Sequence, residues 1–151
     1  MRTKDQTNKM LLFLYYLIYF LMVVIALVFY FFYSKQDVSD FPDLQSGFSL
    51  ALQYAVIGVT LAGVPGGLYL HKYCCEKLKT LEDENDKLKK YIMVSILRLV
   101  FVSLGLLLGI IAFFVLGAYK PMIYCAGISA IALVFCKPSL YKISVDLDLK
   151  D

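Results

Sequence analysis

Four long stretches of this chain carry no charged side chain at all: residues 10–34, 44–70, 99–119 and 121–136. A helix needs about 20 apolar residues to cross a hydrocarbon core of about 30 Å. Three of the stretches meet that length once Arg98 is set apart, and the fourth is short. Composition agrees. The chain is 60% hydrophobic and 18% charged, whereas a soluble domain has about 45–50% apolar and about 25% charged residues. The expected fold is all-α: a polytopic membrane protein with four transmembrane helices.

The basic residues set the expected orientation. Arg2, Lys4 and Lys9 lie in the N-terminal tail, and Lys137, Lys142 and Lys150 in the C-terminal tail. Lys72, Lys77, Lys79, Lys87, Lys89 and Lys90 fill the central connector, while only Lys35 and Lys120 fall in the loops between. Basic loops stay cytoplasmic, so an N-in/C-in topology follows, with a bacterial cytoplasmic membrane as the expected setting. The net charge of +3 reads as orientation and attraction to the lipid bilayer, with no nucleic-acid binding implied. The segments are a cytoplasmic tail (1–9), helix 1 (10–33), an external loop (34–47) and helix 2 (48–71). A cytoplasmic helical hairpin (72–90), helix 3 (91–119), helix 4 (120–136) and a cytoplasmic tail (137–151) complete the chain.

Helix 1 has Tyr15, Tyr16 and Tyr19 near one end and Tyr30 and Tyr33 near the other, as interfacial aromatic belts require. A cleaved signal peptide would have an apolar region of only about 7–15 residues before a small-residue cleavage site. Neither condition holds, so this segment is expected to remain. Ala26 is its only small residue, which places the helix at the lipid-facing edge of the bundle. The loop that follows, with Asp37, Asp40 and Asp43, reads as a solvated connector.

In helix 2, Ala55, Gly58, Ala62 and Gly66 recur every three or four residues and share one stripe, which suits close helix packing. Pro65 lacks a donor and crowds the carbonyl of Leu61, so a kink is expected there, eased by Gly66 and Gly67. In helix 3, Ser95, Arg98, Val102, Gly105 and Gly109 share one face. Gly105 and Gly109 form a GxxxG packing motif. Gly117 and Pro121 bracket a tight external turn. Helix 4 has 16 residues from Pro121 to Cys136 and reaches only about 24 Å.

Between helices 2 and 3, Leu78, Leu81, Asn85, Leu88 and Ile92 follow an a/d spacing with a polar Asn85 at an a-like position, a device that fixes register. Five positions are too few for a sustained coiled coil. A turn capped by Thr80, with an arm from Leu81 running into helix 3, is the alternative. Either way the hairpin is a candidate partner-binding surface. In the tail, Tyr141, Ile143, Val145, Leu147 and Leu149 alternate with polar residues, a strand-like pattern. A lone strand is not stable, so the tail is expected to be disordered or to lie on a surface, with pairing to another chain as the alternative.

Arg98 is the strongest single functional candidate, because charges within spans are costly. All twelve acidic residues lie outside the spans. Three roles follow: snorkelling to lipid phosphate, bonding to carbonyls freed at Pro65, or lining an anion or solute path. His71, Cys74, Cys75 and Cys136 could together supply metal ligands at the cytoplasmic face, a remote reading because the usual C-x-x-C spacing is absent. No nucleophile motif, phosphate loop or intramembrane carboxylate pair is present, so neither an enzyme nor a cofactor is expected. The function expected is that of a small integral membrane interaction protein: an accessory, assembly or regulatory subunit that presents its hairpin and tail to a protein partner or a second copy. The alternative is an oligomeric pore or carrier with Arg98 lining the path.

Overall fold

The computed structural model describes residues 3–37, 41–81 and 83–148, all organised by helices, with no strand among them. The helices are α1 (Lys4–Tyr33), α2 (Gly47–Lys79), α3 (Glu84–Val115), α4 (Lys120–Phe135) and α5 (Leu140–Leu147). Three of them, α1 to α3, are long and apolar enough to cross a membrane, and α4 with α5 would make a fourth span bent by 80°.

Each long helix outruns its apolar segment at one end, where a polar residue caps it. The Thr3 hydroxyl accepts the Gln6 N–H and the Gln6 side chain accepts the Thr3 N–H, so α1 starts at Lys4, not at residue 10. This reciprocal pair satisfies two donors that the first turn leaves orphaned. Two further turns extend α2 beyond its apolar run to Lys79. Thr80 then closes α2 instead of opening α3, its hydroxyl donating to Lys77 O at 2.8 Å. The N-cap of α3 is Asp83, which accepts the Asn85 N–H at 3.0 Å. Asn85 therefore sits in the first turn of α3 and does not fix the register of a coiled coil. Across Pro65, α2 stays one continuous helix; membrane helices tolerate the lost bond when neighbours re-satisfy the backbone.

Three apolar clusters order the bundle from end to end. At one end, Val56 of α2 meets Ala112 of α3, its C-cap Leu116 and Met122 of α4. In the middle, Tyr15 and Met22 of α1 pack with Leu99, Val102, Leu106, Ala126 and Leu133. At the other end, Leu11 of α1, Cys75 and Leu78 of α2, and Leu88, Tyr91 and Ile92 of α3 surround Ile143 and Leu147 of α5. The start of α1 and all of α5 thus lie at one end of the molecule. Tyr15 is turned inward, only 5% exposed, while Tyr16 keeps an outer position.

The turn between α3 and α4 uses two residues of positive φ, Gly117 (65°) and Ala118 (60°). Gly117 needs its missing Cβ twice over, since Phe41 of the preceding loop packs directly on it. Ser39 and Asp40 of that loop lie outside the described residues. Asp43 turns its carboxylate onto its own loop, accepting the Gln45 N–H at 3.1 Å.

The C-terminal segment corrects the strand expectation. Residues 140–147 form a helix, capped by the Ser139 hydroxyl on the Lys142 N–H at 3.2 Å. The alternation misled because helical spacing also fits: Ile143 and Leu147 are four residues apart and share a face. Both are fully buried; Leu149 and Lys150 lie outside the described residues. Leu147→Ala should cost about 2–5 kcal/mol. Denaturation in detergent would measure it, together with faster tryptic cleavage after Lys142; unchanged cleavage would mean that α5 does not depend on this contact.

Candidate functional site: a buried polar cluster beneath α5

α5 closes over a group of polar side chains supplied by α2 and α3. His71 and Cys75 are one turn apart on α2, so helical geometry puts them on one face. From α3, Tyr91, Ser95 and Arg98 follow at spacings of four and three, and α5 adds Asp146. His71, Cys75, Tyr91, Ser95 and Arg98 are all buried, and Arg98 is only 8% exposed.

Contacts within the group are specific. Arg98 Nη2 donates to Cys136 O at 3.2 Å. Arg98 Nη1 lies 3.4 Å from His71 Nδ1. A guanidinium can only donate, so Nδ1 is the acceptor and the imidazole proton sits on Nε2, 3.4 Å from Ser95 Oγ. Cys75 Sγ lies 3.7 Å from His71 Nδ1. The Tyr91 hydroxyl donates to Asp146 Oδ2 at 3.0 Å, and the His71 and Tyr91 rings meet edge to face at 5.7 Å. An opening of about 180 Å³ leads to His71, Cys75 and Asp146 between Lys72, Glu76 and Lys79.

This geometry revises the roles expected of Arg98. It does not snorkel: a side chain 92% buried, with its guanidinium on Cys136 O, is held inside the bundle. Its acceptor is the end of α4, not a carbonyl near Pro65. Among the metal-ligand candidates, His71 and Cys75 come together, but Cys74 is half-buried on a neighbouring position of α2 and Cys136 offers Arg98 its backbone carbonyl. Asp146, which the strand-like pattern concealed, completes the cluster. A helical reading of residues 140–147 would have placed it at the edge of the buried face, one residue from Leu147, though not beside His71 and Cys75.

The hairpin leucines also fare differently from a docking surface. Leu78 and Leu88 are buried against Ile143 and Leu147, with Leu81 packed beside them. Their apolar surface is used by the chain's own α5.

The small residues divide into two sets. Gly105 and Gly109 are packing positions on α3. A Cβ at Gly109 would lie 2.9 Å from Ala126 N, and one at Gly105 would overlap Ser129 Oγ. Gly63 and Gly67 of α2 face α3, where a Cβ at Gly67 would come 3.1 Å from Phe101 Cβ. Gly58 and Gly66 are different: nothing lies within 4 Å of a Cβ at either position. Together with Ala62 they line a long apolar groove of about 520 Å³, walled by Phe101 and Leu104. Ala55 belongs to the same sequence stripe but not to the groove's lining. Compared with protein-family models, with curated proteins and with solved structures, the chain matches none of them.

Proposed function

We propose that this chain is an integral membrane interaction subunit whose docking face is the groove along α2, which receives one apolar helix of a membrane protein partner. The observation that carries this reading is the open stripe of Gly58, Ala62 and Gly66. Glycine inside a helix is about 1 kcal/mol less favourable than alanine, and within the chain neither Gly58 nor Gly66 gains a contact in return. Small residues at this spacing let a second backbone approach closely, and close van der Waals packing drives helix association in lipid. The hairpin supports docking less, because its leucines are covered by α5. Under this reading the chain sits in a cytoplasmic membrane with both termini and the α2–α3 hairpin on the basic, cytoplasmic side, and it has no catalytic role.

The test is affinity purification from native membranes in mild detergent, comparing the wild-type chain with a Gly58→Leu/Gly66→Leu variant. The variant should keep its helical circular dichroism and its melting temperature, since open space receives the new side chains. It should lose a stoichiometric partner that the wild type retains. A wild type that purifies alone as a monomer would refute the proposal, as would a variant that keeps its partner. Recovery of a second copy of this chain in place of another protein would make the groove a homo-oligomer interface.

A further inference from the structure

We propose that His71, Cys75 and Asp146 form a binding site for a divalent ion of the zinc class, which fastens α5 onto α2. One nitrogen, one sulfur and one carboxylate oxygen lie within 4.8 Å of one another, with His71 and Cys75 buried. This mixed donor set suits zinc, which binds histidine, cysteine and carboxylate ligands. Zinc–sulfur and zinc–nitrogen bonds of about 2.3 and 2.0–2.1 Å at a tetrahedral angle place the two ligand atoms about 3.6 Å apart. Cys75 Sγ lies 3.7 Å from His71 Nδ1 and 3.8 Å from Nε2, so the two side chains are close enough to share an ion once the imidazole turns its Nδ1 lone pair toward the sulfur.

The surroundings match what a metal site requires of its second layer. The tautomer needed for coordination through Nδ1 is already present, with Nε2–H directed at Ser95 Oγ. Metal-bound histidines are held in this way by their other ring nitrogen. The Tyr91 hydroxyl orients the Asp146 carboxylate from the side. Three protein ligands leave a fourth position, and the opening between Lys72, Glu76 and Lys79 provides an entry path and room for a water there. The ion takes the place of the long Arg98 contact to Nδ1, and Arg98 retains Cys136 O. Binding is balanced by loss of one proton, from the Cys75 thiol, with His71 neutral and Asp146 already a carboxylate.

The test uses the full chain in detergent micelles, titrated with Co²⁺ as a spectroscopic stand-in and with Zn²⁺ as competitor. One equivalent of Co²⁺ should give a sulfur-to-cobalt charge-transfer band that Zn²⁺ abolishes. Cys75→Ser should remove the band and Asp146→Asn should weaken binding at least tenfold, while Cys74→Ser leaves both unchanged. Asparagine can still accept the Tyr91 hydroxyl, so Asp146→Asn separates ligand loss from loss of fold. Saturating Zn²⁺ should raise the melting temperature of the wild type by several degrees and that of Asp146→Asn by clearly less. The site is refuted if no charge-transfer band forms, if Cys74→Ser removes it as Cys75→Ser does, or if Zn²⁺ stabilises Asp146→Asn as much as the wild type.

Discussion

Gly109→Leu should disrupt the α3–α4 contact and leave little folded protein in detergent. A Cβ alone at this position meets Ala126 N and Cβ at 2.9 Å and Ala126 Cα at 3.0 Å. Those atoms belong to backbone or sit on it, so they cannot rotate away, and the two helices must separate. Overpacking of this kind commonly costs about 1–3 kcal/mol, and a leucine against backbone belongs at or above the upper end. Gly105 faces Ser129 Oγ, which can rotate. The expected order of destabilisation is therefore Gly109→Leu, then Gly105→Leu, with Gly58→Leu nearly silent. The fraction of monodisperse protein after extraction, with unfolding titrations on what survives, would establish the order. A Gly58→Leu variant as unstable as Gly109→Leu would contradict the open groove.

Arg98→Lys should be more damaging than Arg98→Met. The guanidinium reaches two acceptors on different elements, Cys136 O and His71 Nδ1. A lysine carries the same charge on a single nitrogen and lacks the planar fork, so one acceptor loses its donor while a cation stays buried. A hydrogen bond to a charged group contributes about 1.5–3 kcal/mol. Methionine also abandons both acceptors, but it removes the buried charge and so its desolvation cost, which often offsets the loss. Arg98 already carries part of that cost, since its Nε has no hydrogen-bond partner among the described residues. If lysine proved silent and methionine destabilising, Arg98 would be reaching water or phosphate.

The long apolar helices were legible in the sequence because charge is excluded from them, and that exclusion has one physical cause whatever the fold. The buried face of α3 was legible too: Ser95, Arg98, Val102, Gly105 and Gly109 follow helical spacing and are all buried. What escaped was decided by contacts distant in sequence. The leucines of the hairpin look like a free surface until α5 is seen to cover them. Residues 140–147 satisfy both period two and period four, and only the cavity for Ile143 and Leu147 chooses between them. For the same reason Asp146 could not be joined to His71 and Cys75 beforehand. The stripe from Gly58 to Gly66 has the spacing of a packing face, although spacing alone does not say whose backbone approaches.

The end of α4 bears on how the chain deforms its lipid surroundings. With 16 residues, α4 covers only about 24 Å and counts as a candidate span only together with α5; a short span ordinarily forces the bilayer to thin around it. Here the final carbonyls are met from within the protein: Cys136 O by Arg98, and Phe135 O and Lys137 O by Lys142 Nζ at 2.7 and 3.2 Å. The distance for Lys137 O is the longer of the two. Two cations at the negative end of the helix dipole do what headgroups and interfacial water would otherwise do. For a span formed by α4 with α5, these donors would let the helix finish below the water line without drawing the leaflet down to it, and membrane thickness would then exert less selection than the length of α4 suggests.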